Sequence, residues 1–417
     1  MKNKREKERK FNFSKLFVII ILLALIAGGV YYSAVKIGNL KKIAENNNVI
    51  EDTQKEPKIV IPEDSVATIV AIGDTLCHSQ NFKDAYDSET GIYDFSPMFK
   101  YITKYFDDAT VAVGNLEATF AGPSHKYSGY PTFNTPEHLA IDLKELGLDI
   151  MTTANNHALD IGYSGLVSTL DYLDDAGLQH TGRARSYEEQ EKILFKDLNG
   201  IKTAFLAFTY GTNGIPVPKG KEYCVNLIDK DFMKRKIDQA KSEGAELICV
   251  SMHWGDEYKT TPNSTQKDLA EFLIKNDVQV ILGCHPHVLE PIEMKTVTME
   301  DGTTKSGFVI YSMGNFFSAQ TFPNTRNTLI LNVQVRKDGA TGKVSVDQAT
   351  YTPIYVYDND LNAKDRYELL DIENIIAEYE AGDSKWSKSM YNLAKTELDR
   401  TVKILGPEIF NRNENVD

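Results

Sequence analysis

The sequence predicts an α/β fold in which helices cover a sheet of short buried strands, and three observations carry this. Seven short runs rich in Val, Ile and Ala are bounded by small residues, which is how buried strands read. Helix-like stretches with apolar residues three and four apart lie between several of them, and such alternation marks helices packed on a sheet. The composition, 42% hydrophobic, 25% charged and 10% aromatic over 417 residues, is that of a globular chain with a sizeable core.

In order, the strand-like runs are 66–73 (VATIVAIG), 109–114 (ATVAVG), 148–154 (LDIMTTA), 202–208 (KTAFLAF), 245–252 (AELICVSM), 278–283 (VQVILG) and 307–314 (GFVIYSMG). The segments 136–147 and 164–177 have helical periodicity and end in glycine, a frequent helix stop. The segment 264–277 opens with Ser264 or Thr265 as N-cap. Residues 328–357 read as antiparallel hairpins with KDGATGK as a turn, and 364–404 as two amphipathic helices. The domain division expected is a fold over 65–357 followed by a helical extension, 358–417.

The N-terminal end is different in kind. Residues 1–15 hold seven Lys/Arg and two Glu, a balance of +5, which leaves −18 for the rest against −13 overall. Residues 16–35 carry no charge over twenty positions, the length that spans ~30 Å of hydrocarbon as a helix. The basic flank predicts a single-pass signal-anchor with a cytoplasmic tail, 1–15, and the globular part at the outer face of the cell membrane. A cleaved signal peptide fits less well, because its apolar core is usually only about 7–15 residues. Residues 36–64 are polar and read as a flexible stalk. The acidic globular part argues against nucleic acid, whose binding needs basic surface. The basic stretches GRAR (182–185) and PKGK (218–221) are candidate local basic patches against this acidic background. Cys77, Cys224, Cys249 and Cys284 show neither zinc-finger spacing nor a disulfide framework.

Five strand-like runs end in chemistry-bearing residues. The first is followed by Asp74 and His78, the second by Asn115 and Glu117, and the third by Asn155, Asn156, His157 and Asp160. The fifth leads to His253, and the sixth to the pair His285 and His287, two of only eight histidines in the chain. Ligands in α/β sheets bind beyond the carboxyl ends of strands, so these residues are predicted to meet. Carboxylates, an asparagine carbonyl and imidazoles form a mixed N/O set suited to Mn²⁺, Fe²⁺ or Zn²⁺. Seven candidate ligands exceed one tetrahedral ion and suffice for two divalent ions with a bridging carboxylate. The loop 209–214, with Tyr210 and Asn213, together with Glu257 and Asn315, is expected to line the pocket or support its ligands. His125, His138 and His180 stand without partners of this type and read as structural.

The ordered blocks GDTLCH, GNLEATF, ANNHALDIGYSGLVSTLDYLDDAG, SMHWGDEY, GCHPHVLEPIE and YSMGNF resemble the bacterial capsule-synthesis CapA family, associated with poly-γ-glutamate synthesis and export. That family is similar to the calcineurin-like metallophosphoesterases, so the resemblance implies an α-β-β-α sandwich preceded by the transmembrane helix. It implies Asp74, His78 and His287 at a first ion, Glu117 bridging, and Asn156, His253 and His285 at a second. His157 becomes a proton donor or charge stabiliser rather than a ligand, with Asp160 fixing its tautomer. Asn115 orients Glu117 or meets substrate, Asn155 lies beside it, and Asn315 orients a ligand. Two departures from the metallophosphoesterase pattern stand out: Asp74 and His78 are four apart instead of two, and the second block supplies a glutamate instead of an aspartate. The implied function is a membrane-anchored, extracytoplasmic, metal-dependent hydrolase in capsule production. Two alternatives stay open: a non-catalytic accessory subunit of a poly-γ-glutamate synthase or export complex, and a γ-glutamyl amide hydrolase. On any of these, other synthase subunits are expected partners.

Overall fold

The structure, a computed structural model, describes residues 28–29, 32–38, 62–359, 366–383 and 385–406, and the backbone alone at 410–411. In the unit Met1–Val60, residues 28–29 and 32–38 are helical. The expected anchor, 16–35, and stalk, 36–64, fall mostly outside the described residues. Among the described residues no helix is long and apolar enough to cross a membrane.

The second unit, Ile61–Asp417, holds two mixed sheets. The first is built on parallel β1 (Ser65–Thr75), β2 (Val111–Leu116), β3 (Ile150–Thr152) and β4 (Gln179–Thr181). It is extended from β1 by antiparallel β11 (Asn327–Lys337), β12 (Val344–Asp358) and β13 (Tyr367–Asp371). The second sheet has the order β5 (Leu194–Leu198), β6 (Ile201–Thr209), β7 (Leu247–His253), β8 (Val280–Cys284), β10 (Thr304–Met313), β9 (Leu289–Thr298). Its four central strands are parallel, and its edge strands β5 and β9 are antiparallel to their neighbours.

Side-chain alternation along the strands decides the layering. On β1, Ile69 and Ala71 pack with Leu282 and Ile310 of the other sheet, while Val70 and Ile72 face helix side chains such as Leu143 and Leu170. On the second sheet, Ile248, Val250 and Ile281 face away, toward Ile237 and Leu273 of the helices Lys230–Ser242 and Ser264–Lys275. The result is helices, sheet, sheet, helices: two sheets buried face to face with helices outside both.

Local sequence explains most boundaries. The helix His138–Leu146 stops at Gly147, whose φ of 114° is left-handed and whose N–H bonds back to Leu143 and Lys144. The helix Ser264–Lys275 is capped by Asn263, one residue before the expected Ser264. The Asn263 side chain accepts from the Gln266 N–H, and the Gln266 side chain returns a bond to the Asn263 backbone, a reciprocal capping box. The hairpin expected over 328–357 is β11 and β12. The expected pair of C-terminal helices is corrected at its start, because 367–371 is strand β13, paired with β12, ahead of the helices Ile372–Glu380 and Lys388–Leu405. Only Glu368 of this strand is not buried, and Leu369 and Leu370 are consecutive, facing different clusters, so no period-two signal marks it before an amphipathic helix. All four cysteines are free and buried, which agrees with the absence of a disulfide pattern.

Candidate metal centre

Strands of both sheets end at one place, and their glycines bring them together. A register shift in the β1–β2 pairing falls at Gly73, between Ile72 and Asp74, and such a bulge re-aims the next side chain. A Cβ at Gly73 would lie 2.0 Å from the Gly314 carbonyl oxygen, and one at Gly283 1.9 Å from that of Tyr311. Only glycine permits these approaches, and each holds a site loop, Asp74 or Cys284–His287, against the end of β10.

Asp74 is buried. Its Oδ1 accepts from Asn115 Nδ2 at 2.7 Å and its Oδ2 from the backbone N–H of His285 at 3.1 Å. Glu117, just beyond β2, is fully buried, and neither carboxylate oxygen has a hydrogen-bond partner. Around it stand His253 Nε2 at 3.4 Å, His287 Nδ1 at 3.8 Å and His157 Nε2 at 4.0 Å. His287 Nδ1 is also 3.4 Å from Asp74 Oδ2 and 3.0 Å from Asn315 Oδ1. Asn156 Oδ1 meets His253 Nε2 at 2.5 Å. Ligand-capable atoms of Asp74, Glu117 and His287 lie within 4.8 Å of one another, and so do those of Glu117, His253 and His285. The two buried triads share Glu117. A third group, His285, His287 and exposed Glu257, meets the same criterion.

The loop carrying the last two histidines is strained. His285 has φ 99° and His287 φ 59°, left-handed values that bulky residues rarely adopt and that persist only where surrounding bonds enforce them. The bond from the His285 N–H to Asp74 is one such restraint, and the bond from the Tyr258 N–H to the Pro286 carbonyl, 2.8 Å, is another.

The electrostatics are those of carboxylates and imidazoles packed together away from water. Burial opposes ionisation of Asp74, but the His287 hydrogen bond, the electrostatics of the neighbouring imidazoles and the Asn115 bond outweigh it and hold the carboxyl well below its usual value. Burial, then the charge of Asp74, raise Glu117 well above the ordinary range. Burial also drives His253 far down and His285 to about 3, so both imidazoles are neutral, the form that binds metal. Buried carboxylate oxygens without donors are rare in folded proteins, because each carries a desolvation cost. The N/O donor set around Glu117 can hold divalent ions.

His157 stands beside this cluster. Its Nδ1 is 2.7 Å from Asp160 Oδ2, its Nε2 is 3.4 Å from Asn213 Nδ2, and its ring packs edge-on to Phe133 at 4.7 Å. Asp160 also accepts the Phe133 N–H at 2.7 Å. Asn213 Oδ1 accepts from Asn156 Nδ2 at 3.0 Å. Tyr210 lays its ring against His285, centroids 4.6 Å apart, and burial raises its phenol to about 12. Asn155 donates to the Leu116 carbonyl at 2.5 Å, so it fixes the strand end that carries Glu117 and does not itself face the cluster.

His78 is the exception among the expected ligands. It is the residue preceding helix Ser79–Asp84; its Nδ1 pairs with the Leu76 carbonyl at 3.0 Å, and its ring is edge-on to Phe133. It belongs to none of the three ligand groups, since the four-residue spacing from Asp74 carries it past the strand end onto the cavity wall. His125, His138 and His180 also stay outside those groups. The expected basic patch at GRAR is half corrected: Arg183 is buried and donates to the carbonyls of Thr153 and Ala118 and to Asn155 Oδ1. It ties the Glu117 loop to the Asn155–His157 loop, a role that a charge count along the sequence does not reveal. Behind the His285–His287 loop, Glu290 is fully buried, with Oε2 accepting from Gln266 Nε2 at 2.6 Å and Oε1 unpartnered.

Above the cluster opens a cavity of about 840 Å³, with His78, His157, Asp160 and His287 at its inner end and Tyr258 and Phe322 among its walls.

The PGA biosynthesis protein CapA of Bacillus subtilis (strain 168) is 28% identical to this chain over 310 residues, 72% of this chain and 76% of that protein. The capsule biosynthesis protein CapA of Bacillus anthracis is 24% identical over 301 residues, 70% and 69% of the two chains. Among solved structures, the calcineurin-like phosphoesterase YfkN of Bacillus subtilis aligns with a TM-score of 0.42 and 15% identity, covering 82% of this chain and 98% of that one. The family model described as bacterial capsule synthesis protein PGA_cap matches residues 68–320, a range that runs from β1 past both buried triads. The chain therefore belongs to the PGA_cap family of bacterial capsule synthesis proteins.

Proposed function

We propose that this chain is a metal-dependent, phosphoesterase-like hydrolase that works outside the cytoplasm in capsule or poly-γ-glutamate production, held to the cell membrane by residues 16–35. Glu117 carries the reading. A fully buried carboxylate without a donor on either oxygen, set between Asp74 and three imidazoles, makes sense as a ligand shared by two cations. Asp74, Glu117 and His287 would hold one ion, and Glu117, Asn156, His253 and His285 the other. Such ions, when bound, polarise an ester oxygen and make bound water more acidic. What the relatives are named for supports the place in capsule polymer production, with other synthase subunits as partners.

The chain's own residues supply the rest. Asn115 holds Asp74, Asn315 holds His287, and Asn213 holds Asn156, so these three ligands are aimed before a cation arrives. His157, with Nδ1 paired to Asp160, presents Nε2 toward Glu117, where it can hold or deliver a proton at the leaving oxygen. Asp160→Asn should therefore lower kcat by about 10²-fold with ion content unchanged. Equal loss of ions and of rate would make Asp160 a structural residue only.

The deciding experiment is elemental analysis of the full-length chain purified without chelators, beside His285→Ala, followed by assay on a phosphodiester panel with Mn²⁺. About two ions per chain in the parent, a clear deficit in His285→Ala and turnover confined to the parent are expected. A parent that holds no ions would leave a polar pocket and the role of an accessory subunit.

A further inference from the structure

The cavity over the cluster has walls unlike its floor. Among the described residues no lysine or arginine lines it, and the carboxylates of Asp160 and Glu257 do. Its outer part is aromatic: Tyr130 is 78% exposed, Phe322 58% and Tyr258 37%. Large aromatic side chains left in water beside a concave polar site are candidates for ligand contact.

Two of these rings are held in place. Tyr258 adopts φ 64°, a strained conformation for a bulky residue that persists only where other bonds impose it. The restraint is its own N–H, bonded to the carbonyl of Pro286 between the two loop histidines. Its ring consequently stands 6.1 Å from that of His287 and 4.7 Å from that of Phe322. Phe322 sits at a turn whose carbonyl accepts both the N–H and the hydroxyl of Thr325. The strain at Tyr258 thus links the aromatic wall to the loop bearing His285 and His287.

Charge narrows the occupant. Two divalent ions against Asp74 and Glu117 leave roughly +2, enough for one phosphate ester group. The acidic walls oppose further negative charge, so a run of closely spaced carboxylates fits poorly. A neutral ring with an apolar face fits the Tyr258–Phe322 wall well.

We propose that the substrate is a phosphoester with a single anionic group whose organic part is a ring, laid against Tyr258 and Phe322 while the phosphate meets the centre. This rests on the metal-centre reading above and adds to it the class of the organic group. The inference is tested by binding, which does not require turnover. The full-length chain loaded with Mn²⁺ is titrated by calorimetry with phenyl phosphate, glucose 1-phosphate and ethyl phosphate. At least one ring-bearing probe should bind about tenfold or more tighter than ethyl phosphate, the scale of one ring stacked on an aromatic side chain; which of the two does so separates a planar ring from a sugar. Phe322→Ala should shrink that advantage to under about threefold. Tyr258→Asn should do the same, asparagine being chosen because it tolerates the left-handed backbone. Both positions are solvent-exposed, so neither change opens the core. Equal affinities for the three probes, no binding by either ring, or an advantage that survives Phe322→Ala overturns the inference. Ion content and turnover, measured separately, report on the hydrolase reading itself.

Discussion

Glu117→Gln should abolish metal binding and turnover and yet make the metal-free chain more stable. Loss of a partner that merely supports a metal ligand typically costs about 10–100-fold in affinity or activity, and loss of the shared ligand should exceed that. The stability effect has the opposite sign. Glu117 is buried, its oxygens have no donors, and its carboxyl is raised well above the usual range by burial and by Asp74. A carboxyl raised in the folded state contributes full stability below about pH 4.5 and loses it as pH climbs. At pH 8 in chelator the neutral amide should therefore raise the unfolding midpoint by several degrees, corresponding to about 1–3 kcal/mol. Added Mn²⁺ should reverse the order, because ions that bind only the folded parent stabilise it by mass action. Thermal unfolding of both proteins, with chelator and with Mn²⁺, reads the crossing. Parallel midpoints in the two conditions would mean that Glu117 is not where cations bind.

Glu290→Gln should flatten the dependence of stability on pH. Burial pushes this carboxyl from 4.5 up to about 8, against the lowering effect of the Gln266 hydrogen bond. The sign follows from linkage. Below about pH 4.5 both folded and unfolded chains hold the proton, and the stability contribution is complete. Between 4.5 and 8 the unfolded chain releases the proton while the folded chain keeps it, so stability falls across that window and levels off above it. At about 1.4 kcal/mol per pH unit, the loss amounts to a few kcal/mol. The variant should match the parent near pH 4 and unfold several degrees higher at pH 8.5, both in chelator so that cations do not contribute. A pH profile unchanged by the substitution would show that Glu290 is ionised in the fold.

Much of this architecture is legible in the amino-acid sequence. Strands β1, β2, β6, β7, β8 and β10 were readable because each is buried on both faces and so forms a near-continuous Val/Ile run. Strands β4 and β5 were not: three and five residues long, with exposed or half-buried positions, they carry no such run. The histidines, carboxylates and asparagines of the site could be gathered because they follow strand ends, where α/β sheets place their ligands. His78 lies outside the ligand groups, since sequence proximity to Asp74 says nothing of which way a chain turns after a bulge. Arg183, Tyr258 and Phe322 left no distinctive signal. Their importance lies in what they touch from other loops, and a basic tripeptide or a lone aromatic reads the same on any surface.

The cluster lies on a seam. Asp74, Glu117 and Asn156 belong to one sheet, and His253, His285 and His287 to the other, with Ile69, Val113, Leu282 and Ile310 packed between the two. A change in one loop alters one distance, whereas a slight slide of one sheet over the other would alter every cross-sheet distance at once. The apolar side chains between the sheets therefore act as the gauge of the site. A methyl group gained or lost there, far from any polar atom, retunes the spacing of all six side chains together, while the outer loops remain free to vary what they admit.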